Sequence, residues 1–531
     1  MAPVVAPGRR ARFEHDPPGL VKGGWLEPHS LRSFVRASIR GWAGRRLGTL
    51  RWLAEPVTVR AIVGARRGSR ERNGQNRSET HEGRRKSHAR DPQSGREGST
   101  FAGPGKAARI ALWIRRGCRA QQGSGMLGSA AENVSVGSVT LRAGHVQPVW
   151  AGHPWVFAQA IERIEGGVGA GDEVVVKDAR GNALGRGLYS PGSAIPVRIY
   201  TRDVRRPIDA GLLEERIELA LERRRALGLP NERTTGLRLI HAEGDDLPGL
   251  IVDRLGDVLS VQFGTIGMKR REAAILDALV RSLSPRAIVD RSSQRTAESE
   301  GFVAGSGVVR GDSEVRAFEF LERGLAFRIP LELGQKTGFY FDQRPLRERV
   351  ESLARGRRVL DVYTYTGSIA LAAVRGGANT VEAVDSSALA LEVAAECAAL
   401  NQLEGKIRFE CGDAQEVLAH VGRKGGYDLV VLDPPKLAPT RAKRERALDA
   451  MRKLTALGCR ATRPGGLLVL CSCSAALGLA ELTRAAALGA RDVGTRAILL
   501  DRLFQGPDHP VPAAFPEGLY LNTVIVQVTP S

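Results

Sequence analysis

The chain has few of the residues that would crosslink it or hold it in a membrane. It has 531 residues but only six cysteines, which form no CxxC pair, and its nine histidines have no spacing suited to zinc. The sequence therefore predicts neither a disulfide framework nor a metal site, and it favours a reducing cytoplasm. The longest apolar runs are far too short to span a bilayer, so we expect no association with a membrane.

Acidic residues are scarce in only one part of the chain. Residues 1–125 contain 26 Lys and Arg against 9 Asp and Glu, a net charge of +17, whereas the whole chain carries +20. The remaining 406 residues thus have 78 − 26 = 52 bases and 58 − 9 = 49 acids, a net charge of +3. Because this larger part is nearly neutral, an RNA-binding surface on it must be a local patch.

Residues 1–125 are rich in Arg, Gly and Ser and lack sustained hydrophobic periodicity. Three interpretations fit them: a disordered RNA-binding tail, a transit peptide suggested by the acid-free, Arg-rich stretch 31–51, or a start codon assigned too early. We favour the last. The chain has only four methionines, and Met126 lies where the composition becomes typical of folded protein.

The rest of the chain divides into three predicted domains. Short alternating strands with Gly- and Asp-rich turns over residues 130–203 predict a small β-barrel, and the pattern resembles the RNA-binding PUA domain. Residues 204–330 combine a helical stretch with strands, which predicts an α+β domain that links the barrel to the last domain. Over residues 331–531 strands alternate with helices. This alternation predicts an α/β, Rossmann-like domain with a mostly parallel sheet and helices on both faces.

Three acids follow successive predicted strands of the last domain. Asp361 ends the strand in RRVLDVYTYTG, Asp385 ends the next one 24 residues later, and Asp413 follows the third. The turn after Asp361 has no GxGxxG motif, which disfavours a dinucleotide. An acid at the end of the second strand can accept two hydrogen bonds from a ribose. Asp413 is placed to accept a hydrogen bond from an adenine amino group.

Together these carboxylates predict a pocket for an adenosine that carries a positively charged sulfonium, because an acidic lining disfavours a triphosphate. For any one of these Asp residues taken alone, a helix N-cap is the better interpretation. Tyr363, Thr366 and Gly367 lie in the tight turn before the next helix, where the backbone can approach a ligand closely. We therefore expect S-adenosylmethionine as the cofactor, in a pocket that resembles that of class I methyltransferases.

A rigid acidic loop follows the fourth predicted strand. In LVVLDPPKL, Asp433 leaves the strand, and Pro434 and Pro435 remove two N–H donors and restrict the backbone. A carboxylate held rigidly in this way suits the edge of an extruded base, and we expect Lys436 to contact the same substrate. Methylases of exocyclic amines share this motif, so it predicts a base as the target without identifying the methylated atom.

Two cysteines at the end of the next strand, in GGLLVLCSCS, suggest which atom is methylated. C5 of cytosine is a poor nucleophile until a thiolate adds to C6. We assign Cys473 as the nucleophile because it lies nearer the strand exit, and Asp433 as the group that hydrogen-bonds the base. Cys471 stays an alternative nucleophile, and cysteine is also commonly a small buried apolar residue.

These residues belong to longer motifs that extend, in order, over about residues 130–531. The motifs are HAEGDDLPGLIVDRLGD (241–257), GQKTGFYFDQR (334–344), LDVYTYTG (360–367), LDPPK (432–436), CSCS (471–474) and DHPVPAAFPEGLYL (508–521). Together they resemble the PUA-containing bacterial 23S ribosomal RNA cytosine-5 methyltransferases. The resemblance implies S-adenosylmethionine as the methyl donor and Cys473 as the nucleophile. It also implies a cleft for cofactor and substrate lined by Gln335, Lys336, Phe339, Asp342 and Arg344.

On the residues alone, two further contacts are predicted. Phe339 or Tyr340 is expected to stack on adenine, although such dense aromatics are normally core. Asp508 and His509 are candidates for the border of the target pocket, and a salt bridge within the loop explains them equally well.

We therefore expect methyl transfer to C5 of a cytosine in 23S ribosomal RNA, either naked or in a partly assembled large subunit. Two alternatives remain open. One is a purine N-methyltransferase of ribosomal RNA that uses Asp433 without a thiol, and the other is a non-catalytic RNA-binding assembly factor. The sequence leaves open which nucleotide is modified and the oligomeric state, a homodimer included.

Overall fold

The computed structural model describes residues 136–333, 337–422, 426–437, 444–474 and 477–531. The interpretations of residues 1–125, and the predicted roles of Gln335 and Lys336, lie outside the described residues. Among the helices of the described residues, none is long and apolar enough to cross a membrane.

The described chain begins with a six-stranded sheet around a small apolar core. Its strands are Gly137–Leu141 (β1), Trp155–Val156 (β2), Ile161–Glu165 (β3), Glu173–Lys177 (β4), Ala183–Tyr189 (β5) and Val197–Thr201 (β6), and a short helix, Val146–Trp150 (α1), follows β1. The order is β2-β6-β5-β4-β1-β3, with β1 and β4 parallel. Val174 and Val176 of β4 are buried while their neighbours are only partly so, as the two-residue period of a strand requires.

A five-stranded sheet with helices follows. Its strands are Gly236–His241 (β7), Leu250–Leu255 (β8), Val258–Phe263 (β9), Ala287–Asp290 (β10) and Gly307–Gly311 (β11), in the order β11-β10-β9-β8-β7. The helices are Ala210–Ala226 (α2), Ile266–Lys269 (α3), Glu272–Leu283 (α4) and Gln294–Glu300 (α5). A hairpin of Ala317–Glu322 (β12) and Leu325–Pro330 (β13) comes next and packs into the core of the last sheet.

The last part is a seven-stranded sheet between helices. Its strands are Arg358–Val362 (β14), Thr380–Asp385 (β15), Ile407–Cys411 (β16), Tyr427–Leu432 (β17), Thr462–Ser472 (β18), Thr495–Phe504 (β19) and Asn522–Pro530 (β20). The helices are Arg344–Leu353 (α6), Ser368–Arg375 (α7), Ala388–Leu400 (α8), Ala414–Val421 (α9), Arg444–Ala461 (α10) and Leu479–Asp492 (α11). The order is β16-β15-β14-β17-β18-β20-β19, and β14 to β18 are parallel.

Apolar side chains on both faces explain why helices cover this sheet on two sides. In β14, Val359 belongs to one buried cluster and Leu360 to another, and β17 alternates in the same way with Leu429 and Val430. Strands buried on both faces read as continuous apolar runs. The predicted Rossmann-like architecture is confirmed, with β20 as an antiparallel addition between β18 and β19.

A buried ion cluster fixes α6 to the neighbouring elements. Glu322 at the end of β12 accepts hydrogen bonds from Arg344 Nε at 3.2 Å and from Arg347 Nε and Nη2, each at 2.5 Å. Arg344 also donates to Asp508 Oδ2 at 3.0 Å and to the Gly236 carbonyl at 2.9 Å. The start of α6 is thereby held to β12, to β7 and to the loop before β20.

Replacing Glu322 by Ala should lower the unfolding temperature strongly. The change leaves the buried guanidinium of Arg347 without its carboxylate and that of Arg344 with Asp508 alone. Loss of one partner of a buried pair costs about 3–5 kcal/mol. Glu314→Ala is the matched control, because its carboxylate pairs with Arg316 at 3.0 Å on the exposed surface, where a pair contributes at most about 1 kcal/mol. Thermal unfolding of the full chain, followed by circular dichroism, compares the two. Equal unfolding temperatures would contradict a stabilising role for the cluster.

Candidate active site

The carboxyl ends of the parallel strands bring the predicted residues to one edge of the seven-stranded sheet. Asp361 lies in β14, Asp385 ends β15, Asp433 follows β17 and Cys473 follows β18. The chain passes outward from β14 to β16 and then returns to β17 beside β14. Ligands of open α/β sheets bind at such a reversal of strand order. We call this edge the strand-end site.

The loop between β14 and α7 has an unusual backbone. Tyr363, Tyr365 and Gly367 have φ angles of 68°, 52° and 73°, all in the left-handed region. This region costs a residue with a Cβ about 1–2 kcal/mol, and such strain concentrates at functional sites. At Gly367 an added Cβ would come within 3.0 Å of the Ala394 side chain. The loop therefore needs glycine at position 367 and is held in a strained shape.

Asp385 holds this loop in place. Its Oδ2 accepts a hydrogen bond from the Tyr365 amide at 2.9 Å, and its Oδ1 accepts one from the Ser387 amide at 3.0 Å. The carboxylate is only partly buried, so it remains accessible at the strand end. The predicted ribose contact of Asp385 stays a prediction, and its loop contacts show a structural role.

Asp361 is the most buried acid of the strand-end site. Its Oδ2 accepts a hydrogen bond from the Thr364 hydroxyl at 2.5 Å. Burial raises the pKa of Asp361 to about 7; the Thr364 hydroxyl lowers it, and the charges of Asp433 and Asp385 raise it further. Thr366 Oγ1, in the same loop, is buried without a hydrogen-bond partner among the described residues. A cation with hydrogen-bonding groups fits this arrangement, because it would stabilise the Asp361 carboxylate.

Asp413 is the N-cap of a helix, which is the alternative that the sequence left open for this acid. Its Oδ1 accepts hydrogen bonds from the amides of Gln415 at 2.8 Å and Glu416 at 3.1 Å, at the start of α9. The side chain is exposed. Burial raises the pKa of Tyr363, and the charge of Asp413 adds to the rise, so the two side chains lie near each other. The predicted contact of Asp413 with adenine stays a prediction.

Asp433 is held by Gln343, whose role the sequence did not predict. Gln343 Nε2 donates a hydrogen bond to Asp433 Oδ2 at 3.0 Å, and Gln343 is only 5% exposed. Gln343 ends the short turn Phe341–Gln343 before α6. The only sequence signal was its position in GQKTGFYFDQR beside residues that the resemblance had assigned. Beyond Asp433, Pro434 is buried, whereas Pro435 and Lys436 are exposed.

The two cysteines at the end of β18 differ in environment. Cys471 is fully buried, and its Sγ accepts a hydrogen bond from Thr523 Oγ1 at 3.4 Å. Burial raises the pKa of Cys471 well above the ordinary value, and the charges of Asp433 and Asp361 add to this rise. Cys473 is partly exposed. Burial raises the pKa of Tyr340, with smaller contributions from Asp433 and Cys473, so all three side chains are close together.

Phe339 does not have the predicted role. Its ring is 3% exposed and lies 5.0 Å from Phe320, 4.9 Å from Phe327 and 5.1 Å from Phe341, centre to centre. Phe339 is a core residue. The prediction that it stacks on adenine is wrong, because no face of its ring is open.

Tyr340 is partly exposed, with its ring centre 5.5 Å from that of Tyr365 in the strained loop. Tyr340 remains the candidate for stacking.

Arg344 and His509 are also placed differently from their predicted substrate contacts. Arg344 is buried and its guanidinium contacts Glu322, Asp508 and the Gly236 carbonyl. His509 is buried, with Nδ1 3.0 Å from Asp508 Oδ1. Although burial alone would raise it, the pKa of Asp508 is held below its ordinary value by the hydrogen bond with His509 and the charge of Arg344. This geometry corrects both predictions: the two residues stabilise the fold behind the site.

Comparisons with known proteins agree with this geometry. Residues 139–202 match the family model of the PUA-like domain, and residues 302–517 match that of the S-adenosylmethionine-dependent methyltransferases. A protein from Shewanella frigidimarina named Ribosomal RNA large subunit methyltransferase I is 34% identical over 393 residues, which cover 73% of this chain and 99% of the relative. A namesake from Aeromonas salmonicida is 35% identical and covers 71% of this chain and 95% of the relative.

Solved structures show the same fold. A protein from Streptococcus mutans described as a candidate S-adenosylmethionine-dependent methyltransferase has a TM-score of 0.64 at 17% identity, covering 73% of this chain and 99% of that chain. A candidate methyltransferase in complex with S-adenosylhomocysteine has the same TM-score and coverage. The strand-end site lies within the matched methyltransferase segment, so S-adenosylmethionine is the cofactor. The assignment of Asp361, Asp385 and the loop between β14 and α7 as the residues that would hold it stays a prediction.

Binding of the cofactor should depend on pH through Asp361. This carboxyl group is mostly neutral below its pKa of about 7 and ionised above it. S-adenosylmethionine carries a sulfonium charge and S-adenosylhomocysteine does not. The preference for the former should therefore increase as the pH rises toward about 7 and level off above it, by roughly tenfold in all for each unit by which the bound cation lowers the pKa. Calorimetry with both ligands measures this preference.

Asp361→Asn should abolish that pH dependence, because the amide does not titrate. Asp492→Asn is the control, since that carboxylate is paired with Arg452 on the exposed end of α11. A pH dependence that persists unchanged in Asp361→Asn would show that another group controls binding.

Proposed function

The chain belongs to the ribosomal RNA large subunit methyltransferase I family, and on that premise we propose that it methylates C5 of a cytosine in 23S ribosomal RNA through a covalent cysteine adduct. The observation that carries the proposal is the partly exposed Cys473 at the same sheet edge as Asp433. The PUA-like segment supports RNA as the substrate. The five described cysteines are all free thiols, which supports a reducing cytoplasm as the location.

The proposed reaction begins with the thiolate of Cys473, which adds to C6 of the cytosine and forms an S–C6 bond. The electron pair of the C5=C6 bond moves into the ring, N3 is protonated, and Asp433 stabilises this adduct by a hydrogen bond to the base edge. Bound S-adenosylmethionine supplies an electrophilic methyl group to the electron-rich C5. Loss of the methyl group leaves S-adenosylhomocysteine as the second product. A base then removes the C5 proton, the C5=C6 bond re-forms as the S–C6 bond breaks, N3 gives up the proton that it had gained, and Cys473 is released as thiolate.

The environment of the two thiols supports Cys473 rather than Cys471 as the nucleophile. A nucleophilic cysteine reacts as thiolate and must reach its substrate. Cys471 is fully buried and its pKa is raised, both of which oppose reaction. We therefore assign Cys471 a packing role against Thr523 of β20.

The rival function is N-methylation of a purine in ribosomal RNA. It is supported by the acidic Pro-Pro loop at Asp433, which needs no thiol for that chemistry. The proposed non-catalytic assembly role has lost its support, since the chain belongs to a methyltransferase family. A thiol-dependent experiment separates the two methyl-transfer reactions.

Cys473→Ala should lower methyl transfer by about three orders of magnitude or more, as removal of a covalent nucleophile does. It should also form no covalent complex with RNA that contains 5-fluorocytosine, which traps the adduct because fluorine at C5 cannot leave as a proton does. Cys471→Ala is the matched control and should keep both activities, with some loss of stability. Denaturing gels detect the complex, and bisulfite sequencing of the RNA locates the methyl group.

Full activity in Cys473→Ala would refute the thiol mechanism and favour the purine reaction. A complex that persists in Cys473→Ala and disappears in Cys471→Ala would assign the nucleophile to Cys471 instead.

We also propose that Gln343 positions Asp433 for the base. Its amide group keeps the carboxylate in one orientation through a single hydrogen bond of 3.0 Å. The turn that carries Gln343 is itself fixed, because Tyr520 Oη donates to Asp342 Oδ2 at 2.6 Å. A misplacement of about 1 Å near the reacting atoms can cost on the order of a hundredfold in rate.

Gln343→Ala should therefore lower kcat by roughly ten- to a hundredfold and leave the affinity for S-adenosylmethionine unchanged. Gln343→Glu should be slower still at neutral pH and recover at lower pH, because a second carboxylate beside Asp433 repels it until one is protonated. Gln415→Ala, an exposed glutamine of α9, is the control. Steady-state kinetics across pH test this, and wild-type kcat in Gln343→Ala would refute the positioning role.

A further inference from the structure

The five-stranded sheet carries a cavity of about 560 Å³ that the proposed reaction does not use. It lies at the carboxyl ends of β9 and β10, and the loop before β11 and the residues after β13 form its walls. Val289 and Asp290 at its floor are buried, whereas Ser293, Ser306 and Glu332 at its rim are exposed. Its volume is within the range of about 300–1,000 Å³ that is typical of ligand sites.

The cavity is lined by a half-buried arginine with a fixed orientation. Arg291 Nη1 donates to the Leu331 carbonyl at 2.8 Å, and its own carbonyl accepts from Gln262 Nε2 at 3.1 Å. The guanidinium carbon lies 6.0 Å from the centre of the Phe318 ring. Such contacts hold a flat cationic group in one place, so that little conformational entropy is lost when a ligand binds against it.

The acids of the cavity determine which ligand chemistry fits. Asp290 Oδ2 is 3.1 Å from Lys269 Nζ, and its Oδ1 accepts from the Ser292 amide at 2.8 Å, so the charge at the floor is balanced. Glu332 adds a negative charge at the rim. Two carboxylates disfavour a phosphate, whereas a flat base can stack on the guanidinium plane and hydrogen-bond to the serines and the carboxylate.

One wall of the cavity continues into the strand-end site. Leu331 and Glu332 line the cavity, and the carbonyl of the next residue, Leu333, accepts a hydrogen bond from Tyr365 Oη at 3.2 Å. Tyr365 is the strained residue whose amide binds Asp385. Burial lowers the pKa of Arg291, and the charges of Tyr365 and Glu332 oppose this effect. Arg291 is therefore near enough to feel the charge of Tyr365, in the loop between β14 and α7. Residues 331–333 thus connect the cavity with the loop that holds Tyr365.

We propose that the cavity binds an unpaired nucleotide of the RNA substrate close to the target, with its base against Arg291. This inference rests on the proposed function and names a second recognition site for the same RNA. Enzymes that extrude a base for chemistry also select their substrate through flanking nucleotides. The cavity would thus contribute to the choice of the modified position, while Cys473 and Asp433 act on the target base.

RNA binding is measured with the full chain saturated with S-adenosylhomocysteine and a fluorescent fragment of 23S ribosomal RNA that contains the modified site, and turnover is measured separately with S-adenosylmethionine. Arg291→Ala removes the stacking surface, and Ser306→Trp fills the cavity from its exposed rim without a change of charge. Both should weaken RNA binding roughly tenfold, as loss of one stacked base does, raise the KM for RNA in parallel, and leave kcat and the affinity for S-adenosylmethionine unchanged. Arg310→Ala is the control, an exposed arginine of β11 outside the cavity lining, and should bind RNA normally.

Abasic substitution of each nucleotide near the target identifies the bound one. One such position should weaken binding to the wild-type protein but not to Ser306→Trp, whose cavity is already filled. Unchanged RNA affinity in both cavity variants would overturn the proposal. A loss of S-adenosylmethionine affinity in Arg291→Ala with normal RNA binding would overturn it too, because the cavity would then belong to the cofactor site. Absence of a 5-fluorocytosine adduct in the wild type would refute the thiol mechanism and leave the RNA-binding result to be judged separately.

Discussion

The pairing of β17 with β14 is the constraint on which the site depends. In this register Val362 lies opposite Leu432, so the carboxylates of Asp361 and Asp433 come out of adjacent strands at the same edge. Two acids brought together in a buried place cannot both ionise without cost. The protein accommodates them differently: Asp361 is buried with a raised pKa, and Asp433 is half-exposed and held by Gln343. One edge of one sheet can thereby present a carboxyl group to a cation and another to a base.

Residues outside this edge of the seven-stranded sheet keep Asp361 and Asp433 in their different environments. The Glu322 cluster fixes the start of α6, and Gln343 directly precedes that helix. The same cluster reaches β7 through the Gly236 carbonyl and the last loop through Asp508. The five-stranded sheet is therefore part of the support of the catalytic residues, and it also carries the cavity lined by Arg291.

The sequence predicted the strand-end residues well because their positions follow from local pattern. An apolar run that ends in an acid or a cysteine places that residue at a strand end, and parallel strands bring such ends together, as they do for Asp361, Asp385, Asp433 and Cys473. The local sequence pattern does not show which of two neighbouring side chains is exposed in the folded protein. Phe339 and Tyr340 are adjacent in sequence, yet only the first is enclosed by Phe320 and Phe327 of the hairpin.

The wrong predictions share this physical origin. The resemblance placed Arg344 in the substrate cleft, and nothing in the sequence contradicted this because its partners, Glu322 and Asp508, are distant along the chain and belong to other elements. Gln343 escaped notice for the converse reason, since its importance comes from a single contact with Asp433, 90 residues away. Long-range pairing of charges and amides decides these roles, and one sequence without its fold does not reveal it.

The contacts of Asp508 have a consequence for synthesis of the chain. Its Oδ2 accepts hydrogen bonds from Arg344, 164 residues earlier, and from the amide of Arg238, 270 residues earlier. Contacts of such sequence separation form late in folding, because long loops must close first. While the ribosome is still translating the preceding residues, Arg344 lacks this partner and the turn that bears Gln343 lacks its final support. A nascent chain thus gains full activity only when nearly all of its sequence has emerged.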